Sequence, residues 1–202
     1  MAVPSSVPGS VQGSVQGSGG GNPSIVGGSV PWQHAGMAKK RRIFEEGHGR
    51  KLMVIVDETP EVEGALFYAA GRVLHAGGTI LLLYVIEPEA QFWEGVRQVQ
   101  LDEETNKARA IFRLFRRKLN NDGYDAVPTE EVIREGKKID EIMKQIDEDE
   151  DIAVLVLGAS KEAAGPGPLV SSLATGANAG KFPIPITIVP GELAVEDIKA
   201  LA

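Results

Sequence analysis

The sequence predicts an α/β fold, namely a five-stranded parallel β-sheet with helices on both faces. Short apolar runs rich in Val, Leu and Ile recur along the chain, and Ile152–Leu157 is the most continuous of them. Such runs are typical of strands that are buried on both faces. The segments between them have apolar residues at helical spacing. This alternation of strand and helix favours a parallel sheet with right-handed crossovers.

The predicted elements follow one another in a regular order. The strands are predicted over Leu52–Val56, Thr79–Ile86, Ala126–Arg134, Ile152–Leu157 and Pro183–Val189. The helices are predicted over 60–75, 88–121, 137–147, 171–179 and 192–202. The third strand is the most polar and contains Pro128, which cannot donate to a strand ladder. We therefore expect it at an edge of the sheet.

The first two helices carry the clearest helical signals. Thr59 is predicted as the N-cap of the first helix, with Pro60 as its first residue, and Gly77-Gly78 is expected to end it. In the second helix the acids precede the bases, as the helix dipole favours. Its core stripe is predicted from Ala108, Ile111, Phe112, Phe115 and Leu119. We interpret its arginines as a solvated face, with a nucleic-acid-binding helix as the alternative.

The composition excludes several classes of function. The 202 residues are 43% hydrophobic and carry a formal net charge of −7. Nucleic acid is an improbable partner, because phosphate contacts need a basic surface. The chain has no cysteine, which excludes disulfides and thiol nucleophiles, and its three histidines argue against a histidine-rich metal site. Since no membrane span and no secretory signal are recognisable, we expect a cytoplasmic protein.

Residues 1–50 differ from the rest and are predicted to form a disordered leader. Gly, Ser, Pro, Val and Gln dominate up to about Gly36, so little apolar surface can offset the entropy of ordering. Met37 resembles a natural start, which favours an artificially added leader over a native one. The cluster Lys39–Arg42 is interpreted as solvated, with a handle for nucleic acid or anionic lipid as the alternative. The globular domain is predicted over 51–191, and a C-terminal extension over 192–202.

Four consecutive carboxylates, Glu148–Asp151, connect the third helix to the fourth strand. We interpret them as a solvated turn, with a metal site as the alternative. Consecutive carboxylates in a connector do not converge on one ion without supporting ligands.

The best candidate for a binding site follows the strand Ile152–Leu157. The chain there enters a glycine-containing loop at Gly158, and the next helix is predicted to begin at about Ser171. In open α/β sheets, ligands lie outside the carboxyl ends of the strands, and helix N-termini offer N–H groups to phosphates. No P-loop, serine-hydrolase elbow or general base other than Asp57 accompanies the loop, so no catalytic residue is assigned.

The ordered set of strand ends resembles a universal stress protein domain over about Lys51–Val189. The set comprises a strand ending at Asp57, then Leu81–Ile86, Val132–Gly136, Val154–Gly158 and a final Ile184–Val189. The resemblance implies an adenine-nucleotide α-hydrolase-like, Rossmann-like fold and homodimerisation through the last strand, Ile184–Val189. Some members of this family bind ATP and others do not.

The ATP-binding members carry a loop motif that this chain matches in part. After the fourth strand they have Gly, two residues, Gly, nine residues, Gly and then Ser or Thr. Carried over without a gap, Gly158 matches the first glycine and Ser172 the hydroxyl position, while Lys161 and Ser171 replace the other glycines. Side chains at those positions obstruct close approach to a phosphate and a positive φ. Lys161 could instead contact a phosphate as a point charge, and Ser171 is small with its own donor.

The resemblance also implies roles for two residues ahead of the loop. Asp57 matches the acid that contacts the adenosine part of the ligand, and Val85 matches a residue that lines the adenine pocket. Structural roles are the alternatives. Asp57 would then bond to the start of the next helix, Ser172 would be an ordinary N-cap, and Lys161 would be a solvated loop lysine.

Three functional hypotheses follow. The first is a homodimeric universal stress protein that acts in the stress response by binding, with ATP and Mg²⁺ as its ligands. Its proposed binding residues are Asp57, Val85, Gly158, Lys161, Ser171 and Ser172. The second is a nucleotide-independent dimer that acts through protein partners. The third is a slow ATPase.

Overall fold

The computed structural model describes residues 40–88, 94–162, 164–174 and 182–202. All of them belong to one compact unit, Pro31–Ala202. The predicted disorder of the leader up to residue 39 lies outside the described residues. So does the end of the helix predicted over 171–179.

Strands and helices alternate along the described residues. The strands are β1 (Lys51–Ile55), β2 (Thr79–Ile86), β3 (Thr129–Glu135), β4 (Ile152–Ala159) and β5 (Ile186–Pro190). The helices are α1 (Glu61–Ala76), α2 (Glu94–Asn121), α3 (Lys138–Glu148), α4 (Pro168–Ala174) and α5 (Val195–Leu201). All neighbouring strands are parallel, in the order β3-β2-β1-β4-β5, which confirms the predicted sheet. None of the described helices combines the length and apolarity that a membrane crossing requires.

Helices cover both faces of the sheet, as predicted. On one face α1, α2 and α5 enclose a core that includes Phe112, and on the other α3 and α4 enclose a core that includes Ile142. Successive residues of a strand point to opposite faces, so Leu82 joins the first core and Leu83 the second. Burial on both faces explains why β2 is apolar at nearly every position.

The strand order places β3 and β5 at the two edges, which confirms the edge position predicted for the third strand. β3 begins just after Pro128, whose carbonyl oxygen accepts a hydrogen bond from the N–H of Ile80 at 2.9 Å. β5 begins at Ile186, three residues later than predicted, because Pro185 has no N–H for the ladder. β1 and β4 are neighbours in the middle of the sheet. The chain adds β2 and β3 on one side of β1, and β4 and β5 on the other side, so the direction in which strands are added reverses between β1 and β4.

Two helices begin at positions that differ from the predictions. The N-cap of α1 is Pro60, without a side-chain hydrogen bond, because the hydroxyl of Thr59 donates to Asp57 instead. α4 begins at Pro168, so the predicted start at Ser171 is wrong. The fixed φ of proline suits a first helical turn, and Gly167, with a φ of 98°, ends the loop just before it.

Residues 40–50 pack against the acidic connection between α3 and β4. Arg41 Nη1 donates to the carbonyl oxygens of Ile146 and Asp149 at 2.7 and 3.1 Å. His48 Nδ1 lies 2.6 Å from Asp151 Oδ1. The basic segment and the acidic turn therefore contact each other rather than standing separately in solvent. Within the described ranges, no three His, Asp or Glu side chains are grouped so that they could hold a metal ion.

The C-terminal helix α5 packs on α1. Ile198 is buried, and a Cβ added at Gly71 of α1 would lie 2.5 Å from the Cβ of Ala202. Lys199 Nζ lies 5.2 Å from the ring centroid of Phe67 and 2.6 Å from Asp122 Oδ1. This end of the chain therefore contributes to the core on the α1 face.

Candidate functional site

A pocket of about 560 Å³ opens at the carboxyl edge of the sheet, where β1 and β4 end. Two loops line it. The β1–α1 loop contributes Thr59–Glu61, and the β4–α4 segment contributes residues 160–162, 164, 165, 167, 168 and Ser171. The pocket thus lies at the point where the winding of the sheet reverses, which is where open α/β sheets bind their ligands.

Asp57 fixes the conformation of the β1–α1 loop. Its Oδ1 accepts hydrogen bonds from the N–H of Thr59 at 2.9 Å and from the Thr59 hydroxyl at 2.5 Å. Its second oxygen, Oδ2, lies 3.8 Å from Lys138 Nζ at the start of α3. The structural role expected for Asp57 is therefore present, and its half-buried carboxylate lies beside the pocket rather than in its lining.

Gly158 brings the end of β4 close to the first turn of α1. A Cβ added at residue 158 would lie 2.1 Å from the carbonyl oxygen of Glu61 and 3.0 Å from its Cβ. No side chain fits in that space. Glycine is thus required by the contact between β4 and α1, before any ligand is considered.

The loop from β4 to α4 is closed by its own hydrogen bonds. The N–H of Ser160 donates to the carbonyl oxygen of Pro166 at 3.1 Å, and that of Gly165 donates to the carbonyl oxygen of Glu162 at 3.1 Å. The N–H of Glu162 donates to the hydroxyl of Ser160 at 3.3 Å. Gly165 and Gly167 have φ angles of 116° and 98°, which this compact loop requires. Three of its amides are therefore engaged within the loop.

Charged side chains of both signs line the pocket. Lys161 and Glu162 are exposed on the β4–α4 loop, and Glu61 is half-buried at the start of α1. Among the described lining residues, two carboxylates thus accompany one ammonium group. Such a lining suits an anionic ligand only if a cation accompanies the anion.

The structure brings together part of the predicted site. Lys161 and Ser171 line the pocket, and Asp57 and Gly158 contact residues that line it. Val85 is buried in the core on the α3 face and is not among the lining residues. Ser172 also lies outside the lining, because it is inside α4 and its hydroxyl donates to the carbonyl oxygen of Leu169 at 2.9 Å. The N-cap alternative for Ser172 is wrong for the same reason.

Sequence analysis missed four polar residues of the pocket, namely Thr59, Glu61, Ser160 and Glu162. Thr59 and Glu61 were interpreted only as residues of a helix start, although their loop ends at the same sheet edge as the loop after β4. Because ligands bind at the carboxyl ends of strands, these two residues could have been predicted to line the site. Glu162 has no comparable signal, because a single acid in a loop is ordinary.

The fold and the pocket define a doubly wound α/β domain with a crevice at the reversal point of its sheet. The model of the universal stress protein family matches residues 49–190. The chain therefore belongs to the universal stress protein family. Among curated protein sequences, none matches it.

Solved structures of universal stress proteins share this fold. UspA from Lactobacillus plantarum is 18% identical with a TM-score of 0.55, and the match covers 70% of this chain and 98% of that one. The universal stress protein from Archaeoglobus fulgidus is 18% identical with a TM-score of 0.50, covering 74% and 99%.

Proposed function

We propose that this universal stress protein acts in the stress response by binding an adenine nucleotide in the pocket between β1 and β4. One observation carries the proposal. The loops after β1 and β4 line a single pocket of about 560 Å³ at the reversal point of the sheet. That volume lies within the range of about 300–1,000 Å³ typical of small-molecule sites. Asp57 at the end of β1 is assigned to the adenosine part of the ligand.

The phosphates are assigned to the β4–α4 side of the pocket. Lys161 supplies the positive charge there. Ser171 also lines this side, and in the sequence it directly precedes Ser172, which matches the hydroxyl position of the motif in ATP-binding members. Mg²⁺ is commonly held by one or two carboxylates together with the phosphates of its ligand. Glu61 and Glu162 line the same pocket and are suited to that role, so we propose that the ligand is the magnesium complex.

The self-closed β4–α4 loop favours a second candidate function. The N–H groups of Ser160, Glu162 and Gly165 are all used inside the loop, so they are not available as phosphate donors in this conformation. A nucleotide-independent protein that acts through partner proteins would need no such donors. The two candidates therefore differ in whether the pocket takes up a nucleotide.

Isothermal titration calorimetry of the full chain with ATP, with and without Mg²⁺, separates the two candidates. We expect saturable binding with Mg²⁺ and weaker binding in the presence of a chelator. Lys161→Met should weaken binding about tenfold, the factor that 1.4 kcal/mol produces, since a charge-assisted phosphate contact is lost. Lys137→Met is the matched control, because this lysine is exposed and lies outside the pocket lining. No heat and no thermal shift at any Mg²⁺ concentration would leave the interaction protein as the better account.

We further propose that β5 pairs with β5 of a second copy. β5 is an edge strand, and no strand of the described residues bonds its outer side. Ile188 is 38% exposed on it, and exposed edges of this kind favour strand pairing between chains. We propose Ile186–Pro190 as the seam instead of the predicted Ile184–Val189, because Ile184 is buried ahead of the strand and β5 begins at Ile186. Light scattering of Ile188→Lys should show a lower mass than the wild type, because a charged side chain on an edge strand opposes this pairing.

A further inference from the structure

The outward face of α2 carries exposed side chains of both charges and two large apolar side chains. We call this face the α2 ridge, and its members are Val99, Asp102, Glu103, Asn106, Ala110, Arg113, Leu114 and Arg117. Val99 and Leu114 are 59% and 49% exposed. The opposite face of the helix packs into the core, so the ridge points away from the sheet.

The arginines of the ridge form no ion pairs with the described residues, whereas four other basic residues of α2 do. The paired residues are Arg97 with Glu135, Lys107 with Glu58, Arg116 with Glu131 and Lys118 with Glu63. Arg113 and Arg117, with Arg109 beside them, form no ion pair with any of the described residues. Side chains four residues apart are neighbours on a helix, so these three like charges repel one another. No ion pair within the described part of the chain offsets that repulsion.

The acids of the ridge lie at its other end. Asp102 and Glu103 are exposed and form no ion pair with the described residues, although Asp102 accepts a hydrogen bond from Gln98 at 3.0 Å. The ridge is therefore negative near its N-terminal end and positive near its C-terminal end. The charges of such a surface are complementary to those of an identical surface that lies antiparallel to it.

We propose that the α2 ridge pairs in antiparallel orientation with the same ridge of a second copy. In a register centred on residue 108, a two-fold axis sets the acidic end of each ridge against the basic end of the other. The facing positions are Val99 and Arg117, Asp102 and Leu114, Glu103 and Arg113, and Asn106 and Ala110. Such an interface is isologous, so each of these contacts is made twice.

The middle of the ridge suits close packing of two helices. Asn106 and Ala110 are the members nearest the proposed axis, and their side chains are short enough for an interaxial distance of about 8–10 Å. The aliphatic stem of Arg117 can cover Val99 of the other copy, as long basic side chains do on apolar surface. From residue 99 to residue 117 the contact would run for about 27 Å at 1.5 Å per residue.

A second copy fits the ridge better than a nucleic acid does. A strand lying along the arginines would next meet Asp102 and Glu103, and the net charge of −7 opposes the approach of any polyanion. A second copy in antiparallel orientation sets basic side chains against the acidic end of the ridge and acidic side chains against its basic end.

Charge reversal tests the register in the full chain. Arg113→Glu should weaken self-association about tenfold or more in sedimentation equilibrium, because it sets like charges opposite Glu103 on both sides of the axis. Glu103→Arg should do the same. The double variant Glu103→Arg/Arg113→Glu keeps the net charge, restores the opposite charges and should recover the association. Lys137→Glu, a reversal at an exposed lysine away from α2, is the control for net charge.

The absence of cysteine gives a second test that does not depend on charge. Asn106→Cys and Ala110→Cys are prepared separately and then mixed under mild oxidation. The register sets residue 106 of one copy opposite residue 110 of the other, so the mixture should yield more disulfide-linked dimer than either variant alone. Equal yields in all three samples would contradict the register.

Each association measurement is repeated with Ile188→Lys, so that pairing through α2 is measured whether or not β5 pairs. The proposal is overturned if Arg113→Glu leaves the association of that chain unchanged, or if the chain is monomeric at every concentration. It is also overturned if the double variant, folded by circular dichroism, fails to recover. Loss of binding to oligothymidylate or to an acidic peptide in Arg113→Glu, without a change in mass, would assign the ridge to such a partner instead.

Discussion

The α-carbon of Gly158 faces the carbonyl oxygen of Glu61 so closely that an added Cβ would lie 2.1 Å from that oxygen. The contact joins the end of β4 to the first turn of α1, and both elements border the pocket. A glycine that matches a phosphate-binding motif thus has a packing role of its own. Its retention in the sequence therefore does not by itself indicate that a nucleotide is bound.

Gly158→Ala should lower the free energy of unfolding by about 2–3 kcal/mol, since the extra methyl group must displace backbone rather than a flexible side chain. Chemical denaturation of the ligand-free chain measures this. Gly49→Ala is the control, because a Cβ there would meet nothing within 4 Å and its φ is not in the left-handed region. If both variants unfold at the same denaturant concentration, the close contact between β4 and α1 is wrong.

Asp57→Ala should lower the free energy of unfolding by about 1 kcal/mol, because the N–H and the hydroxyl of Thr59 both lose their acceptor. Asp57→Asn retains an acceptor oxygen and should lose less. Denaturation without nucleotide measures this structural part, and calorimetry with nucleotide measures the proposed contact to the ligand. An alanine variant as stable as the wild type would mean that the carboxylate does not hold the loop.

The apolar pattern was sufficient to predict the sheet. A run such as Thr79–Ile86 indicates a strand because burial on both faces demands apolar residues at nearly every position. The edge position of β3 followed from Pro128 because a missing N–H is tolerated there. These are local properties of the chain.

The details of the site were not predictable in the same way. The helix after the loop was predicted to begin at about Ser171, whereas Gly167 and Pro168 end the loop earlier. The neighbour of Gly158 is Glu61, on a distant part of the chain, and no local pattern reports such a contact. Self-closure of the β4–α4 loop depends in the same way on three-dimensional geometry.

Arg41→Met should destabilise the protein by about 1–3 kcal/mol. Arg41 Nη1 donates to the carbonyl oxygens of Ile146, in the last turn of α3, and of Asp149, the residue that follows α3. Carbonyl groups at this end of a helix lack partners within the helix. A cation at that end also interacts favourably with the helix dipole. Thermal unfolding measures this, and Lys40→Met is the control. The side chain of Lys40 is 87% exposed, so its loss should change stability little. Equal stability of the two variants would show that the hydrogen bonds of Arg41 do not stabilise the C-terminal end of α3.

Glu141→Gln should make stability less dependent on pH in the acidic range. Burial raises the pKa of Glu141, but hydrogen bonds with Lys144 and Arg134 outweigh it, so the pKa lies below its ordinary value of 4.5. A lowered carboxyl pKa contributes stability that is present above about pH 4.5 and is lost as the pH falls through the folded-state pKa. Urea denaturation at a series of acidic pH values measures the slope. Glu196→Gln on α5 is the control, and an unchanged slope in Glu141→Gln would refute the assignment.

Tyr84 should be the tyrosine whose ionisation most clearly opposes folding at alkaline pH. Burial, together with the hydrogen bond that its hydroxyl donates to Glu104 at 3.0 Å, raises the pKa of Tyr84 to about 12. A tyrosine is neutral below its pKa, so this contribution to stability is complete below about pH 10 and is lost as the pH rises towards 12.

Spectrophotometric titration of tyrosinate in the folded chain tests this directly. Tyr84→Phe should remove the part of the titration that occurs near pH 12. Glu104→Gln should move that part to lower pH, because the carboxylate no longer favours the neutral phenol. If Tyr84→Phe instead removes a step near pH 10, the ordinary tyrosine value, the hydroxyl is not held between α2 and β2 as the structure has it.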